Sequence, residues 1–374
     1  MRVLVAPDSL GGTLTAVEAA EALAEGWRAA APHDDVVLLP LSDGGPGFVD
    51  VLAAARPGAE LRPLVVEDPL ARPVPAAWLL DGATAWVESA TACGLHLLAP
   101  DERNPRRTTT YGVGQLVRAA LDAGAARVVV GLGGSATNDG GAGLLAALGV
   151  QRLDAAGQQL APGGAALAAL DRLEGDPDPR LAQVELVAAT DVDAPLLGLF
   201  GASAVFGPQK GAGRDDVLAL DAALTRWADA LEARTRPVRD LPGAGAAGGL
   251  GAALLALGAR RESGLDLVAA HTGLDDAVDG ADLVLTGEGT FDMTSLRGKV
   301  VGGVCRRAAE AAVPCVVVAG QVEVGRREAA AAGVESEHAL ADAVGLERAL
   351  ERPAEALAAV AERLARQWSP ARGR

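Results

Sequence analysis

The chain has 374 residues, half of them hydrophobic, and carries 49 acidic against 33 basic side chains, a formal net charge of −16 at pH 7. That length suits about two domains with an ample core, while the charge and a 3% aromatic content exclude a nucleic-acid binder, which needs a basic face and often stacking rings. Three cysteines (Cys93, Cys305, Cys315) without a CxxC, four histidines without an HExxH and no 18-residue apolar run exclude a disulfide framework, a zinc ribbon and a membrane span, so the chain is expected to be soluble and cytoplasmic.

Short β-branched runs alternate with Ala/Leu-rich helical stretches, the pattern of an α/β protein with a mostly parallel sheet. Val3 to Ala6 is continuously apolar, as expected of a strand covered on both faces. After the loop 7–14, Thr15 and Glu18 form a predicted capping box, and Val17, Ala20, Leu23 and Trp27 follow at helical spacing. Val36–Leu39 is the next predicted strand and runs into the Gly-rich segment 42–47 (SDGGPG). Both loops lie at the carboxyl ends of strands, where open α/β sheets bind ligands.

Four prolines between Pro63 and Pro75 break the pattern and are read as a crossing into a second domain. An Asp-rich passage from Leu274 to Asp282 precedes the predicted strand Leu283–Thr286, after which βα alternation resumes through a helix from about Lys299 to Ala312 and a strand at Cys315–Ala319. The expected architecture is a doubly wound, mostly parallel Rossmann-like domain made from both termini, residues 1–68 and 283–374, with an α/β domain inserted at 69–282. Two sequential domains are the alternative. The last twenty or so residues read as an amphipathic helix with a basic tail.

The segment 128–148, VVVGLGGSATNDGGAGLLAAL, takes a strand through Gly131, Gly133, Gly134, Ser135, Ala136, Thr137, Asn138 and Asp139 into a helix. Glycines let an anion approach the backbone, and a helix N-terminus supplies oriented N–H donors. Ser135 and Thr137 add hydroxyls, and Asp139 could reach a metal on bound phosphates. Gly131-x-Gly133-x-x-Ala136 also fits a loose dinucleotide fingerprint, with Asp154 about 20 residues on. A Gly-rich packing turn is the third reading.

Asp191 and Asp193 follow the apolar run Leu186–Ala189, a placement that suits Mg²⁺ binding or acceptance of a hydroxyl proton, and equally suits caps and turns. Lysine occurs only at 210 and 299, and asparagine only at 104 and 138. Lys210 stands in a rigid turn of the segment 205–211 (VFGPQKG), where an ammonium is a point charge for phosphate. Lys299 ends the segment 286–299 in the first turn of a predicted helix, the unfavourable end of the dipole, which a bound anion would explain. No Walker A is present, since it would need Gly at Met293. The segment 242–257 is a further Gly/Ala loop entering a helix, explained by close packing nearly as well as by a ligand.

At these residues the chain resembles the type 1 glycerate kinase family. The matching segments are APDSLGGTLTA at 6–16, SDGGPG at 42–47, GLGGSATNDGGAG at 131–143, TDVDAP at 190–195, ASAVFGPQKGAG at 202–213, GAGAAGGLGA at 243–252 and TGEGTFD at 286–292. The resemblance implies ATP-dependent phosphorylation of D-glycerate, usually at the 2-hydroxyl to give 2-phosphoglycerate. The chain departs from the family pattern at Gly11, Pro46, Thr290 and Thr294, where Lys, Glu, Arg and Gln are usual, all four within the expected terminal domain.

On that resemblance the loop 131–143 (Gly133, Gly134, Ser135, Ala136, Thr137, Asn138, Asp139) and Lys210 hold ATP, with Mg²⁺ at Asp191 or Asp193. A carboxylate, Asp191 first and Asp43 second, orients or deprotonates the acceptor hydroxyl. Asp8, Ser9, Asp43, Glu288, Asp292 and Lys299 line the acceptor side. The partner is a small molecule, D-glycerate or a similar hydroxy acid, and a homodimer is left open. The alternatives are a kinase for another hydroxy acid, a nucleotide-binding pseudo-kinase, and an oxidoreductase using residues 131–136.

Overall fold

A computed structural model of the chain describes residues 1–296 and 298–369; the expected basic tail lies outside the described residues. The strands, in chain order, are β1 Arg2–Val5, β2 Asp35–Leu38, β3 Glu60–Glu67, β4 Pro73–Asp81, β5 Thr84–Glu88, β6 Arg127–Gly131, β7 Gln151–Leu153 and β8 Arg172–Glu174. They continue with β9 Glu185–Ala189, β10 Arg260–Glu262, β11 Leu283–Thr286, β12 Thr290–Phe291, β13 Cys315–Ala319, β14 Gln321–Val322 and β15 Ser336–Ala339. The chain forms two compact units: Met1–Asp43 with Asp50–Ala55 and the described residues from Leu265 on, and Gly44–Val49 with Arg56–Gly264.

The first unit is built on a parallel five-stranded sheet of order β15-β13-β11-β1-β2. Strand order reverses between β1 and β11, which makes this a flavodoxin-type doubly wound sheet with its switch point there. Val3, Val5, Leu283, Leu285, Val316 and Val318 are buried together, because helices cover the sheet. The helix Ala16–Ala30 starts at the Thr15–Glu18 capping box and buries Leu23 and Trp27. Against it lies the terminal amphipathic helix Pro353–Trp368. A Cβ at Gly26 would stand 2.0 Å from Ala358 O, so only glycine permits that close crossing.

The second unit carries a six-stranded sheet of order β10-β9-β6-β5-β4-β3. Strands β10, β9, β6 and β5 are parallel; β4 and β3 return antiparallel. The fold class is therefore α/β with mostly parallel sheets, as the sequence leads one to expect.

The unit bounds fall away from the expected positions 68/69 and 282/283. The prolines from 63 to 75 do not mark a crossing but sit in the β3–β4 hairpin. Strand β3 is an edge, and β4 pairs with β5 only at Leu79–Asp81, so Pro73 and Pro75 remove no ladder bond on that side. At the other boundary, the helix Gly264–Thr272 from Leu265 on and the helix Leu274–Asp279 belong with the first unit. Arg307 of the helix Val300–Glu310 pairs with Asp266 at 2.6 Å and Asp275 at 2.8 Å. Pro46, expected in the terminal domain, lies in the second unit.

Candidate active site

In the second unit, the loop after β6 is fixed by backbone packing. A Cβ on Gly131 would stand 2.6 Å from Gly44 O, and one on Gly133 2.3 Å from Gly45 Cα. A Cβ on Gly134, whose φ is +65, would stand 2.7 Å from Pro46 Cγ. These glycines let the segment 44–46 lie directly on the loop. Deeper in, a Cβ on Gly248 would stand 1.8 Å from Thr137 O, in a stretch where Ala247, Gly248 and Gly249 all have positive φ. The Gly/Ala segment 242–257 is thus explained by packing against the loop.

Asp139 was expected to reach a metal, and the structure places it elsewhere. It is fully buried, and its carboxylate accepts hydrogen bonds from Thr110 N–H (2.9 Å), Thr110 Oγ1–H (3.0 Å), Gly141 N–H (3.1 Å) and Gly143 N–H (3.1 Å). It holds the loop to the first turn of the following helix. Asn138 Nδ2 donates to Ser203 Oγ at 2.9 Å, while Asn138 Oδ1 is buried with no hydrogen-bond partner among the described residues.

The turn Pro208–Lys210 carries Lys210 inward, and its side chain is buried. Its ammonium donates to Ser135 Oγ at 3.0 Å and to Thr137 O at 2.7 Å, and burial lowers its pKa to about 8. The neighbouring Cys93 thiol is pushed up to about 12, mainly by burial and then by Asp139. A residue that sequence reasoning missed is Glu88 at the end of β5. It is buried, and its Oε2 accepts from Gly47 N–H at 3.1 Å and Val49 N–H at 3.3 Å. Only its position at the end of a parallel strand could have flagged it.

Past β9, the two acidic residues part company. Asp193 is exposed and paired with Arg261 at 2.6 Å. Asp191 is half-buried, directly after the buried Thr190, whose hydroxyl accepts Val192 N–H at 3.2 Å. Among the described residues no cluster of three or more His, Cys, Asp or Glu side chains could hold a metal ion. Asp191 supplies one hard oxygen, which suits Mg²⁺, an ion usually held by one or two carboxylates together with substrate phosphates. Asp154, required by the dinucleotide alternative, closes a turn by accepting Ala156 N–H and Gln158 N–H.

In the first unit, the loops after β1, β2 and β11 bring four predicted residues into one electrostatic group. Asp8 N–H donates to Gly287 O at 2.8 Å, and Thr286 Oγ1 donates to Ala6 O at 2.8 Å, which joins the first and third loops. The Asp8 carboxyl is held well above the ordinary range, first by burial and then by the charge of Asp43; Ser9 N–H opposes this, Glu288 adds to it and Lys299 opposes it. Burial pushes Glu288 up to about 7, against the pull of Ser295 and Lys299. Its Oε1 is buried with no hydrogen-bond partner among the described residues.

Lys299 is the N-cap of the helix Val300–Glu310 and is half-buried. Asp292 is turned to another task than the expected one. Its Oδ1 accepts from Thr294 N–H, Thr294 Oγ1–H and Ser295 N–H at 2.6–3.1 Å, which lowers its pKa and closes the turn 292–295. Ser9 is half-buried, its N–H given to Asp8 Oδ1 at 2.7 Å.

Fold and loops together define an α/β enzyme of two units, each with polar loops gathered at the carboxyl ends of parallel strands. The model of the glycerate kinase family matches residues 3–369. The chain is 45% identical over 361 residues to the glycerate kinase of Bacillus subtilis (strain 168), covering 95% of this chain and 94% of that protein. Identity to the glycerate 2-kinase of Escherichia coli K12 is 42% over 327 residues, 86% of each chain. A crystal structure of a protein assigned as glycerate kinase 2 from Salmonella typhimurium LT2 matches with a TM-score of 0.79 and 39% identity, covering 98% of both chains. The chain belongs to the glycerate kinase family and is an enzyme, a phosphotransferase with an alcohol group as acceptor. No helix among the described residues is long and apolar enough to cross a membrane.

Proposed function

We propose that the chain is a cytoplasmic ATP-dependent kinase that phosphorylates D-glycerate, at the 2-hydroxyl, to give 2-phosphoglycerate. The observation that carries this reading is the group Asp8, Asp43, Glu288 and Lys299 at the carboxyl ends of β1, β2 and β11. It combines acidic side chains with one ammonium for an anionic acceptor.

The second unit takes the nucleotide on the loop 131–143. Lys210 is a positioning residue there: it braces Ser135 and Thr137 and places a cation beneath the phosphates. One carboxylate oxygen of Asp191 would hold Mg²⁺ together with phosphate oxygens, leaving the other oxygen for the acceptor hydroxyl; when bound, Mg²⁺ offsets phosphate charge. Asp193, engaged by Arg261, is the weaker ligand. In the transfer, the acceptor oxygen bonds to the γ-phosphorus, the bond from phosphorus to the leaving ADP oxygen breaks, and the hydroxyl proton passes to a carboxylate. Asp191 is the first choice for that carboxylate and Asp43 the second. Such chemistry depends mostly on positioning and electrostatics, which fixed loops supply.

The test is ADP release by purified chain with ATP, Mg²⁺ and D-glycerate, the product position being read by phosphorus NMR. A 2-phosphate signal is expected. Thermal stabilisation by nucleotide without ADP release, across a screen of small hydroxy acids, would favour a pseudo-kinase instead.

A further inference from the structure

Beside the acceptor loops of the first unit lies a cavity of about 270 Å³. Its walls are Leu10, Leu340, Leu346, Ala349 and Leu350, and the polar side chains lining it are the uncharged Thr13, Thr290 and Gln321. No charged side chain is among its lining residues.

The backbone of this cavity is continuous with that of the carboxylate group. Leu10 stands two residues beyond Asp8, and Gly289 follows Glu288 directly. Gly320 N–H donates to Glu288 O at 3.1 Å and Gln321 N–H to Gly289 O at 3.0 Å, pairing β12 with β14 along the floor. The cavity therefore sits over β1, β11 and β13, at the switch point of the sheet, where doubly wound folds take their ligands.

Room at one position has been left open. A Cβ on Gly11 would meet nothing nearer than Gly289 Cα at 3.7 Å. Gly11 and Thr290, two of the four departures from the resembling motifs, both line the space, so no side-chain charge enters it. At the rim, Leu346 and Leu350 are 48% and 58% exposed, four residues apart on the helix Leu346–Glu351.

We infer that this cavity is an apolar subsite of the acceptor site, and that it selects hydroxy acids carrying a short aliphatic tail beyond the third carbon. The inference rests on the acceptor side being in the first unit, as proposed above. The carboxylates meet the hydroxyl, while the tail of a five-carbon 2,3-dihydroxy acid lies among Leu10, Leu340 and Ala349. Glycerate, with no tail, leaves the space to water.

The experiment compares D-glycerate with 2,3-dihydroxypentanoate in the full chain, by turnover with ATP and Mg²⁺ and separately by calorimetric binding of each acid. A methylene placed in an apolar pocket changes discrimination by roughly 10–200-fold. The five-carbon acid is expected to show a KM and a Kd at least about tenfold below those of glycerate. Ala349→Phe, which fills the space, and Leu350→Glu, which charges its exposed rim and leaves the fold intact by circular dichroism, should each erase that advantage. Equal or weaker binding of the longer acid, or an advantage surviving in both variants, overturns the subsite. If neither acid is phosphorylated the proposed function fails, and the binding comparison still decides the subsite; if neither acid binds, the subsite fails as well.

Discussion

Lys210 Nζ lies 3.0 Å from Ser135 Oγ, both side chains being buried. A cation beneath a Gly-rich loop, bonded to the loop itself, sets its shape and its potential together. Lys210→Met should therefore raise KM for ATP more than it lowers kcat, with the split read by steady-state kinetics. The pH dependence has a definite sign. The folded pKa of about 8 lies below the ordinary 10.5, so the folded chain releases this proton first and stability rises from pH 8 towards 10.5. The melting temperature of the parent, relative to Lys210→Met, should climb over that window. A flat difference would remove the buried ammonium from the account.

Asp139→Ala leaves the N–H groups of Thr110, Gly141 and Gly143 without their acceptor. Each orphaned buried donor costs about 1–3 kcal/mol, so the loss should reach at least about 3 kcal/mol in urea unfolding. A cost below about 1 kcal/mol would mean the loop is held by other contacts.

Glu288 has its folded pKa raised to about 7 from 4.5. The folded chain keeps this proton longer than the unfolded one, so the associated stability is full below pH 4.5 and lost as pH rises through 7. Glu288→Gln should lack that decline, and the two melting curves should diverge between pH 5 and 8 with the variant the more stable at the upper end. Parallel curves would show that the side chain titrates normally.

Asp191→Asn should lower turnover at saturating glycerate by about 10²–10⁴, the range for removal of a general base. Unchanged turnover would move that role to Asp43, tested by Asp43→Asn. Asp193→Asn removes only an exposed ion pair with Arg261, and its stability change should stay within about 1 kcal/mol.

Much of this molecule is legible in one dimension. The continuous apolar run Val3–Ala6 announces a strand buried on both faces, Leu283–Thr286 reads as another strand, and Thr15 with Glu18 announces a helix start that the structure reproduces bond for bond. The family follows from segments such as GGSATNDGGAG, whose order along the chain is itself information. The prolines at 63–75 mislead because a proline run looks the same in a linker as in a hairpin whose bonding edge is unpaired.

The sequence by itself determined the fold class and the family, because periodicity, capping and motif order are written along the chain. Tertiary structure alone decided what the singled-out side chains do. Lys210 faces Ser135 across 75 residues of sequence, Asp139 faces Thr110 across 29, and Glu88 faces Gly47 across 41. Burial and hydrogen-bond partners arise only when distant segments meet. The scarcity of lysine drew attention to Lys210, and the fold places its ammonium against Ser135 and Thr137 as a brace.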